Sequence, residues 1–342
     1  MKAKVSGTKK KINGTTFLLM ITILLFVVMY AAGMIVFNDK GFAKPQMFLN
    51  LFISNAGLLV IAMGETIVMI TAGIDISVGS VTALVCMVAA NQMENHGASA
   101  YTALLMALVI GLLFGLVQGF LVSYLEIQPF IVTLAGMFFA RGMTTIVHTD
   151  PFNVQNKAFV ALKDTRVIVP GMGSVNRIGK YVDAYVEIGV IVALLIVVLM
   201  FVMLRWSKLG RAFYAVGGNK QSALMLGINV KKTKFMAHLL CSLLAGIGGF
   251  VYFMHVGSGS ASHATGMEMN AIASSIIGGT MLTGGVGNII GTLFGVLSLS
   301  TIQNIVSSAG LDQAWWTGIT IAAMLCLFLV IQSVVMSRKK KA

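Results

Sequence analysis

The chain has 342 residues, of which 57% are hydrophobic and only 10% are charged. A soluble domain needs roughly a quarter of its residues charged to cover its surface, so most of this surface does not face water. The net charge of +13 does not indicate nucleic-acid binding, because the basic residues stand mostly at the ends of apolar runs. Composition therefore predicts a polytopic membrane protein and excludes an ordinary soluble enzyme.

Apolar runs of about 20 residues, long enough to cross a hydrocarbon core of roughly 30 Å, recur along the whole chain. Runs of this length are helices, because a helix in lipid satisfies its own backbone polar groups. They predict about ten spans, at 17–37, 50–71, 76–93, 101–123, 129–148, 187–204, 235–254, 269–285, 289–308 and 314–336. The first run is too long for a secretory signal and lacks an Ala-x-Ala cleavage site, so we expect it to be retained.

The basic residues predict the orientation, since Lys and Arg near span ends accumulate on the cytoplasmic side. They form clusters at the N-terminus (Lys2, Lys4, Lys9, Lys10, Lys11), after the sixth span (Arg205, Lys208, Arg211, Lys220, Lys231, Lys232, Lys234) and at the C-terminus (Arg338, Lys339, Lys340, Lys341). Ten spans place all three clusters on one side. The connection 149–186 mixes both signs and falls on the opposite side. We therefore expect both termini in the cytoplasm.

An acidic residue, Glu65, stands in the middle of the second predicted span. An ionisable group at that depth is costly. The residue either lines or gates a pathway, or it is hydrogen-bonded to a neighbouring helix for packing. The sequence leaves both interpretations open.

The segment Thr71-Ala-Gly-Ile-Asp-Ile-Ser-Val-Gly-Ser80 interrupts two apolar runs. Gly73 and Gly79 permit backbone turns, and Ser77 or Asp75 can cap the helix that follows. The pattern predicts a reentrant or broken helix that lines a cavity, because irregular backbone at that depth has to be covered by protein or water. A tight cytoplasmic turn with a helix cap is the alternative, and it would leave Asp75 near an edge of the membrane.

Three glycines, Gly111, Gly115 and Gly119, follow one another at four-residue spacing in the fourth predicted span. Small residues at this spacing let two helix backbones approach closely. We interpret them as packing residues.

The basic connection after the sixth span contains a further ordered pattern. Asn219 is a plausible N-cap for a short helix through Leu226, and Gly227 closes that helix. A short amphipathic helix at the cytoplasmic face can dock onto a soluble partner. A topogenic loop that lies on the membrane surface is the alternative.

Catalytic and cofactor motifs are absent from the sequence. It has no His-Glu-x-x-His, no Gly-x-Ser-x-Gly and no phosphate-binding loop. The three cysteines all fall inside apolar runs, which does not favour a disulfide framework or a metal site. We therefore expect no catalytic, cofactor-binding or metal-binding residue.

Three motifs resemble one family, the permease subunits of bacterial ABC importers for monosaccharides of the ribose, galactoside and xylose group. They are Gly-Ile-Asp-Ile-Ser-Val-Gly-Ser at 73–80, Gly210 to Asn219 followed by Ala223 to Gly227, and Ile276 to Gly287. They occur in the family's order, and the similarity covers the full chain. The stretch from Phe130 to Gly142 and the Trp315-Trp316 pair look closest to one of the two permeases of galactofuranose-type importers.

The resemblance implies an all-α polytopic membrane protein with the ten-helix, type II architecture of the vitamin-B12 importers. It implies a single permease domain over 1–342, with a cytoplasmic coupling loop at about 205–234 and a periplasmic loop at about 149–186. The chain would lie in the bacterial inner membrane among its lipids, beside a second permease, identical or paralogous. Other implied partners are an ABC ATPase subunit, a periplasmic or lipid-anchored sugar-binding protein and a monosaccharide, but no nucleic acid.

The resemblance also implies roles for particular residues. The ATPase-coupling residues would be Asn219, Lys220, Ser222, Ala223, Leu226 and Gly227, and the candidate pathway or gate residues Glu65, Asp75 and Ser77. ATP and Mg²⁺ would be held by the partner subunit. The departures from the family pattern are small: Ile76 stands where Leu is common, and Lys220 and Gln221 stand where small or acidic residues are usual.

A secondary carrier, in which one chain couples sugar to protons or sodium, is the competing interpretation. Such carriers place several ionisable or ion-coordinating groups near the bilayer midplane. Only Glu65 is predicted to lie deep here, which favours the importer. Uptake that survives ATP depletion but collapses with a proton ionophore would support the carrier.

Overall fold

The computed structural model describes residues 14–175, 179–311 and 313–340, and within these ranges the chain forms thirteen α-helices and four short strands. The helices are α1 (Gly14–Val36), α2 (Pro45–Ile70), α3 (Val78–Asn95), α4 (Ala100–Ser123), α5 (Pro129–Val147), α6 (Lys157–Lys163), α7 (Ile188–Trp206), α8 (Lys208–Gly218), α9 (Lys220–Met225), α10 (Val230–Val256), α11 (Met267–Ile277), α12 (Ile289–Ser308) and α13 (Ala314–Lys340). The strands are β1 (Phe152–Asn153), β2 (Arg166–Val175), β3 (Tyr181–Glu187) and β4 (Ser258–Gly259). The N-terminal lysines and Lys341 of the predicted basic clusters lie outside the described residues.

Eight helices in the described ranges are long and apolar enough to cross a membrane, namely α1, α2, α4, α5, α7, α10, α12 and α13. They match eight of the ten predicted spans, and the prediction of a polytopic helical membrane protein is confirmed. The predicted span 76–93 corresponds to α3, whose 18 residues are mostly buried and rise about 27 Å.

The remaining predicted span, 269–285, differs from the structure. Helix α11 has only 11 residues and rises about 16 Å, so a continuous helix over 269–285 is wrong. It stops because Gly279 adopts the left-handed conformation, with φ of +89°. The N–H of Gly279 donates to the carbonyl of Ile276 and that of Thr280 to the carbonyl of Ser275, both over 2.9 Å, which are the two bonds of a Schellman motif. Irregular backbone follows until α12.

Helix α10 packs closely against α4 in the protein core, as the glycine spacing predicted. A Cβ atom added at Gly111 would lie 2.6 Å from the carbonyl oxygen of Ser242, and one at Gly115 would lie 2.9 Å from the Cα of Leu239. Real Cβ atoms do not approach other atoms so closely. Any larger residue would therefore push α4 and α10 apart.

A β-hairpin of β2 and β3 forms most of the connection 149–186, and β1 pairs with β4 on the same side of the molecule. These strands depart from the all-α prediction. An isolated two-stranded hairpin is marginally stable, so its formation depends on tertiary support. Gln46 at the start of α2 supplies part of it, because its side chain accepts from the N–H of Tyr185 over 2.9 Å and donates to the carbonyl of the same residue over 3.2 Å.

The surface that carries the hairpin is called the hairpin face. Glu94, near the end of α3, accepts the N–H of Gln155 there over 2.7 Å. Lys163, at the end of α6, donates to the carbonyl of Val256 at the end of α10 over 3.1 Å. The ends of α3 and α10 therefore lie on this face together with the start of α2.

The opposite surface is called the basic face, because α8, α9 and the start of α10 bring their lysines and arginines to it. Lys231, in the first turn of α10, approaches Glu126 in the turn between α4 and α5 to 3.4 Å. The backbone N–H of Gly285, just before α12, donates a hydrogen bond to the carbonyl of Ile70 at the end of α2. The chain thus passes from the hairpin face to the basic face between the end of α10 and the start of α12, through α11 and the irregular segment after it.

Candidate functional site

Two carboxylates come together where α2 is interrupted. Glu65 and Asp75 both have no solvent exposure. The Oε1 atom of Glu65 accepts the backbone N–H of Asp75 over 3.2 Å. Oδ1 of Asp75 accepts the N–H of Ser77 over 2.9 Å and its hydroxyl over 2.6 Å, while Oδ2 has no hydrogen-bond partner among the described residues. Desolvation of such groups is costly, so the pair marks a specialised site.

This arrangement extends the predictions about the segment 71–80. Asp75 has no solvent exposure and lies beside Glu65, because the apolar residues on either side of it, Ile74 and Ile76, pack in the protein core. Ser77 occupies the N-cap position of α3, yet its side chain makes no capping hydrogen bond. Its hydroxyl is engaged by Asp75 instead. The prediction of irregular backbone between two helices is confirmed.

The polar network continues from Ser77 into α4. The side-chain amide of Gln118 donates to the Ser77 hydroxyl over 3.0 Å, and this hydroxyl lies 3.2 Å from the amide oxygen of Gln118. Gln118 is 3% exposed. A Cβ atom at Gly136 of α5 would overlap the Gln118 amide, so α5 closes over the network. The sequence analysis missed Gln118, although a lone amide inside the apolar run 101–123 was a usable signal.

A third acidic side chain, Glu268, lies in the first turn of α11 and is 9% exposed. Its Oε2 atom has no hydrogen-bond partner among the described residues. A Cβ atom at Gly79 would overlap this oxygen, so the glycine at the start of α3 makes room for the carboxylate. Glu268 was not predicted, because it stands at the edge of its apolar run.

Three hydroxyls join α2, α11 and α12. The Oγ1 atom of Thr66 lies 3.0 Å from the hydroxyl of Ser275 and 2.7 Å from that of Thr292. All three residues have no solvent exposure. Thr66 directly follows Glu65, so adjacent positions of α2 contact the irregular segment 71–77 on one side and the helices next to the irregular segment 278–288 on the other. Sequence alone gave no signal for this cluster, since single Ser and Thr residues are common in membrane helices.

The end of α8 contacts both interrupted segments at the basic face. The N–H of Gly285 donates to the carbonyl of Ile70 over 2.8 Å, and the hydroxyl of Tyr214 donates to the carbonyl of Gly287 over 2.9 Å. A Cβ atom at Gly217 would overlap the Ile70 oxygen and would lie 2.7 Å from the nitrogen of Gly285. The backbones of Ile70, Gly217 and Gly285 therefore contact one another directly. This contact is called the glycine junction.

Helix α9 begins as the sequence predicts. Asn219 is its N-cap, and the side-chain oxygen of Asn219 accepts the N–H of Ser222 over 2.8 Å. Ala223 is 1% exposed and packs with Val216 and Val230, so it fixes the short helix to α8 and α10.

The end of α9 also agrees with the prediction. Gly227 has φ of +75°, and its N–H donates to the carbonyl of Leu224 over 2.9 Å. The N–H of Ile228 donates to the carbonyl of Ala223 over 3.0 Å, which completes a Schellman motif. The cap and the stop are therefore both confirmed, and Leu226 is the C-cap residue.

Large apolar side chains point away from the protein at the end of this helix. Met225 is 84% exposed and Leu226 is 76% exposed. Lys220, in the first turn, lies 3.9 Å from Glu126 and is more than half exposed. An exposed apolar tip surrounded by basic residues is a surface suited to a soluble partner. A Cβ atom added at Gly227 would meet nothing within 4 Å, so the space beside this tip is open.

Comparison with known proteins gives one family and several relatives. The family described as the branched-chain amino acid transport system permease component matches residues 47–329. The inner membrane ABC transporter permease protein YjfF of Escherichia coli (strain K12) is 37% identical over 92% of this chain and 91% of its own length. The fructose import permease protein FruG of Bifidobacterium longum (strain NCC 2705) is 34% identical over 98% of this chain and 96% of its own. The ribose import permease protein RbsC of Escherichia coli (strain K12) is 35% identical over 74% of this chain and 75% of its own. No solved structure is significantly similar.

Proposed function

Because the chain belongs to the family of branched-chain amino acid transport system permease components, we propose that it is the membrane-spanning permease subunit of an ATP-driven, binding-protein-dependent sugar importer. The observation that carries the mechanism is the glycine junction, which connects the end of α8, directly before α9 in the chain, to the segments 71–77 and 278–288. The family membership rests on a match over most of the chain. The substrate class rests on relatives whose names specify fructose and ribose import.

The chain crosses the bacterial inner membrane ten times, in a type II arrangement and as one permease domain over 1–342. Eight long helices, α3, and α11 together with the segment 278–288 supply the ten crossings. The alternation of helix ends between the hairpin face and the basic face supports this count. The basic face is cytoplasmic, as are both termini, since Lys and Arg accumulate on that side.

Partners occupy the two faces. An ABC ATPase subunit, which holds ATP and Mg²⁺, binds the basic face and receives α9 through Asn219, Lys220, Ser222, Ala223, Leu226 and Gly227. A periplasmic or lipid-anchored binding protein delivers a monosaccharide to the hairpin face. A second permease, identical or paralogous, completes the pathway.

Transport follows from movement at the glycine junction. ATP binding closes the ATPase dimer, α9 moves with it, and the rigid backbone contacts at Gly217 carry the movement to the segments 71–77 and 278–288. Glu65, Asp75 and Ser77 lie at the first of these segments and form the candidate gate. A hydrogen-bonded network of this kind has two discrete arrangements only if each keeps its buried polar groups satisfied.

The test is purification of the tagged chain from its native membrane in mild detergent, with an assay for co-purifying ATPase activity. We expect an ATPase subunit to accompany the chain. The substitution Gly227→Trp should reduce that recovery and abolish ATP-driven uptake, because it distorts a left-handed turn beside the docking surface. Gly97→Trp is the matched control, since Gly97 is also a left-handed glycine in open space but lies between α3 and α4 near the hairpin face.

The opposite result would assign the chain to another transporter class. If the chain purifies alone and mediates uptake in liposomes with only an ion gradient, the importer proposal fails. If Gly227→Trp retains normal ATP-driven uptake, the importer can stand but α9 is not the coupling helix.

A further inference from the structure

A cavity of about 650 Å³ opens on the basic face, between the turn that joins α4 to α5 and the stretch from α9 to the start of α10. Its charged lining residues are Lys220, Lys231, Lys234 and Glu126. Three positive charges against one negative charge leave it with a net charge of +2. The cavity is therefore suited to an anion.

The groups inside the cavity are incompletely paired. Glu126 lies 3.4 Å from Lys231 and 3.9 Å from Lys220, but all three side chains are more than half exposed, so these pairs contribute little. Lys234 forms no ion pair among the residues that the structure describes. Ser123, at the end of α4, is 2% exposed and its hydroxyl has no hydrogen-bond partner there. A buried hydroxyl normally finds a partner, and this one lies in the wall of the cavity, where it can donate to an anion.

An apolar groove of about 420 Å³ lies farther along α4, at the same end of that helix as the cavity. It is lined by Leu116, Val117, Phe120 and Leu121 of α4 and by Phe235 of α10. Phe235 directly follows Lys234, and Val117 lies six residues, or about 9 Å of helix, from Ser123. Val117 is 58% exposed on the surface that faces the membrane. The charged cavity and the apolar groove thus follow one another in the order of a lipid headgroup and its acyl chain.

We propose that this cavity and groove together bind one anionic phospholipid of the leaflet at the basic face. The phosphate lies between Lys231 and Lys234 and accepts a hydrogen bond from the hydroxyl of Ser123, and an acyl chain lies in the groove against Phe235. Basic pockets at helix ends on the cytoplasmic side are suited to such headgroups. The lipid site is not part of the proposed transport function. The proposal rests on that function only for the orientation of the chain in the membrane.

The site also lies directly behind α9. Leu224 and Gly227 line the same cavity, next to the exposed side chains of Met225 and Leu226 in the chain. A bound lipid would therefore support α9 from within the membrane surface. Transport would respond to the anionic lipid content of the membrane through this contact.

The experiment uses the full chain in mild detergent and measures the dissociation constant of dioleoyl phosphatidylglycerol by native mass spectrometry. Dioleoyl phosphatidylcholine is the neutral comparison. A lysine near the headgroup contributes about fivefold in affinity, so Lys231→Gln with Lys234→Gln should weaken phosphatidylglycerol binding about 25-fold. Lys232→Gln is the matched control, because Lys232 is an exposed neighbour on the same helix that does not line the cavity. Glu126→Gln should strengthen binding, since it removes the competing carboxylate.

Three results would overturn the proposal. One is equal binding of phosphatidylglycerol by the double variant and by the Lys232→Gln control. Another is displacement of the lipid by millimolar inorganic phosphate with no effect of Val117→Asp in the groove, which would indicate a site for a small anion. A third is loss of lipid binding when the ATPase subunit is added, which would mean that a protein segment fills the cavity. Binding is measured without transport, so its failure would leave the importer proposal intact.

Discussion

The backbone N–H of Gly285 donates to the carbonyl oxygen of Ile70 over 2.8 Å, and this bond joins the end of α2 to the irregular segment that follows α11. Ile70 ends α2, and Gly285 lies in the irregular stretch before α12. Gly217 of α8 lies against both atoms without room for a side chain. A displacement of α8 or α9 therefore has to move both segments, which makes this contact the natural place to test coupling.

The substitution Gly217→Ala should disrupt the glycine junction. Its Cβ would overlap the Ile70 oxygen, and overpacking of this kind costs about 1–3 kcal/mol. We expect a lower melting temperature in detergent and a large loss of ATP-driven uptake. The neighbouring Gly218→Ala serves as the control, because nothing lies within 4 Å of a Cβ at that position. Equal effects of both substitutions would contradict the role of the junction.

The carboxylate of Glu65 should be required for transport but not for folding. Glu65→Gln keeps an oxygen that can accept the N–H of Asp75 and changes little else in shape. We expect uptake to fall while the melting temperature and the co-purification of the ATPase stay unchanged. Glu65→Leu, which removes the acceptor, should in addition lower the melting temperature by leaving a buried N–H unpaired. Normal uptake by Glu65→Gln would mean that the carboxylate is structural.

Gly291 should be needed for the contact between α11 and α12. A Cβ at this position would overlap the carbonyl oxygen of Gly278, so Gly291→Ala should destabilise the protein by about 1–3 kcal/mol. Gly142→Ala in α5 is the comparison, because a Cβ there meets nothing within 4 Å. Thermal unfolding in the same detergent should separate the two variants. A melting temperature of Gly291→Ala equal to that of the wild type would show that α11 and α12 can move apart freely.

The loop between α10 and α11 should loosen in acid. Burial lowers the pKa of His263 below its ordinary value of 6.5, although a backbone hydrogen bond at Ser258 partly opposes this effect. A depressed pKa favours the neutral ring in the folded state, so its contribution to stability is complete above pH 6.5 and is lost as the pH falls through the folded pKa. The protection factors for hydrogen exchange of residues 257–266, corrected for the intrinsic exchange rate, should therefore fall below pH 6.5.

His263→Gln is the control for this pH dependence. The amide can still bond to the Ser258 hydroxyl, which lies 3.0 Å from the ring nitrogen, but it does not titrate. In the variant, the protection factors of these residues should not change with pH over this range. If the variant showed the same pH dependence as the wild type, the effect would belong to another titrating group.

Local features of the chain could be predicted from the sequence. The cap at Asn219 and the stop at Gly227 depend on residues within four positions of each other, and the structure confirms both. The close approach of α4 to its neighbour followed from the spacing of Gly111 and Gly115. The length of α11 did not, because hydropathy continues past Gly278 while the helix ends there.

The surroundings of the candidate gate could be predicted from the sequence only in part. Glu65 was identified by its cost at depth and Asp75 by its place in the motif, but Gln118 and Glu268 were missed. The surroundings of Gln118 and Glu268 come from residues far away in the chain, at Ser77 and Gly79. Periodicity along one segment carries no information about which segment packs against it.

The sequence by itself determined that this chain crosses a membrane, which connection is basic and where a short capped helix stands on it. These properties follow from composition and from hydrogen bonds between near neighbours. Only the tertiary structure decided that Ile70, Gly217 and Gly285 meet backbone to backbone, and that a basic cavity of about 650 Å³ lies beside α9. Such contacts arise from the packing of helices distant in the chain, which no local rule specifies.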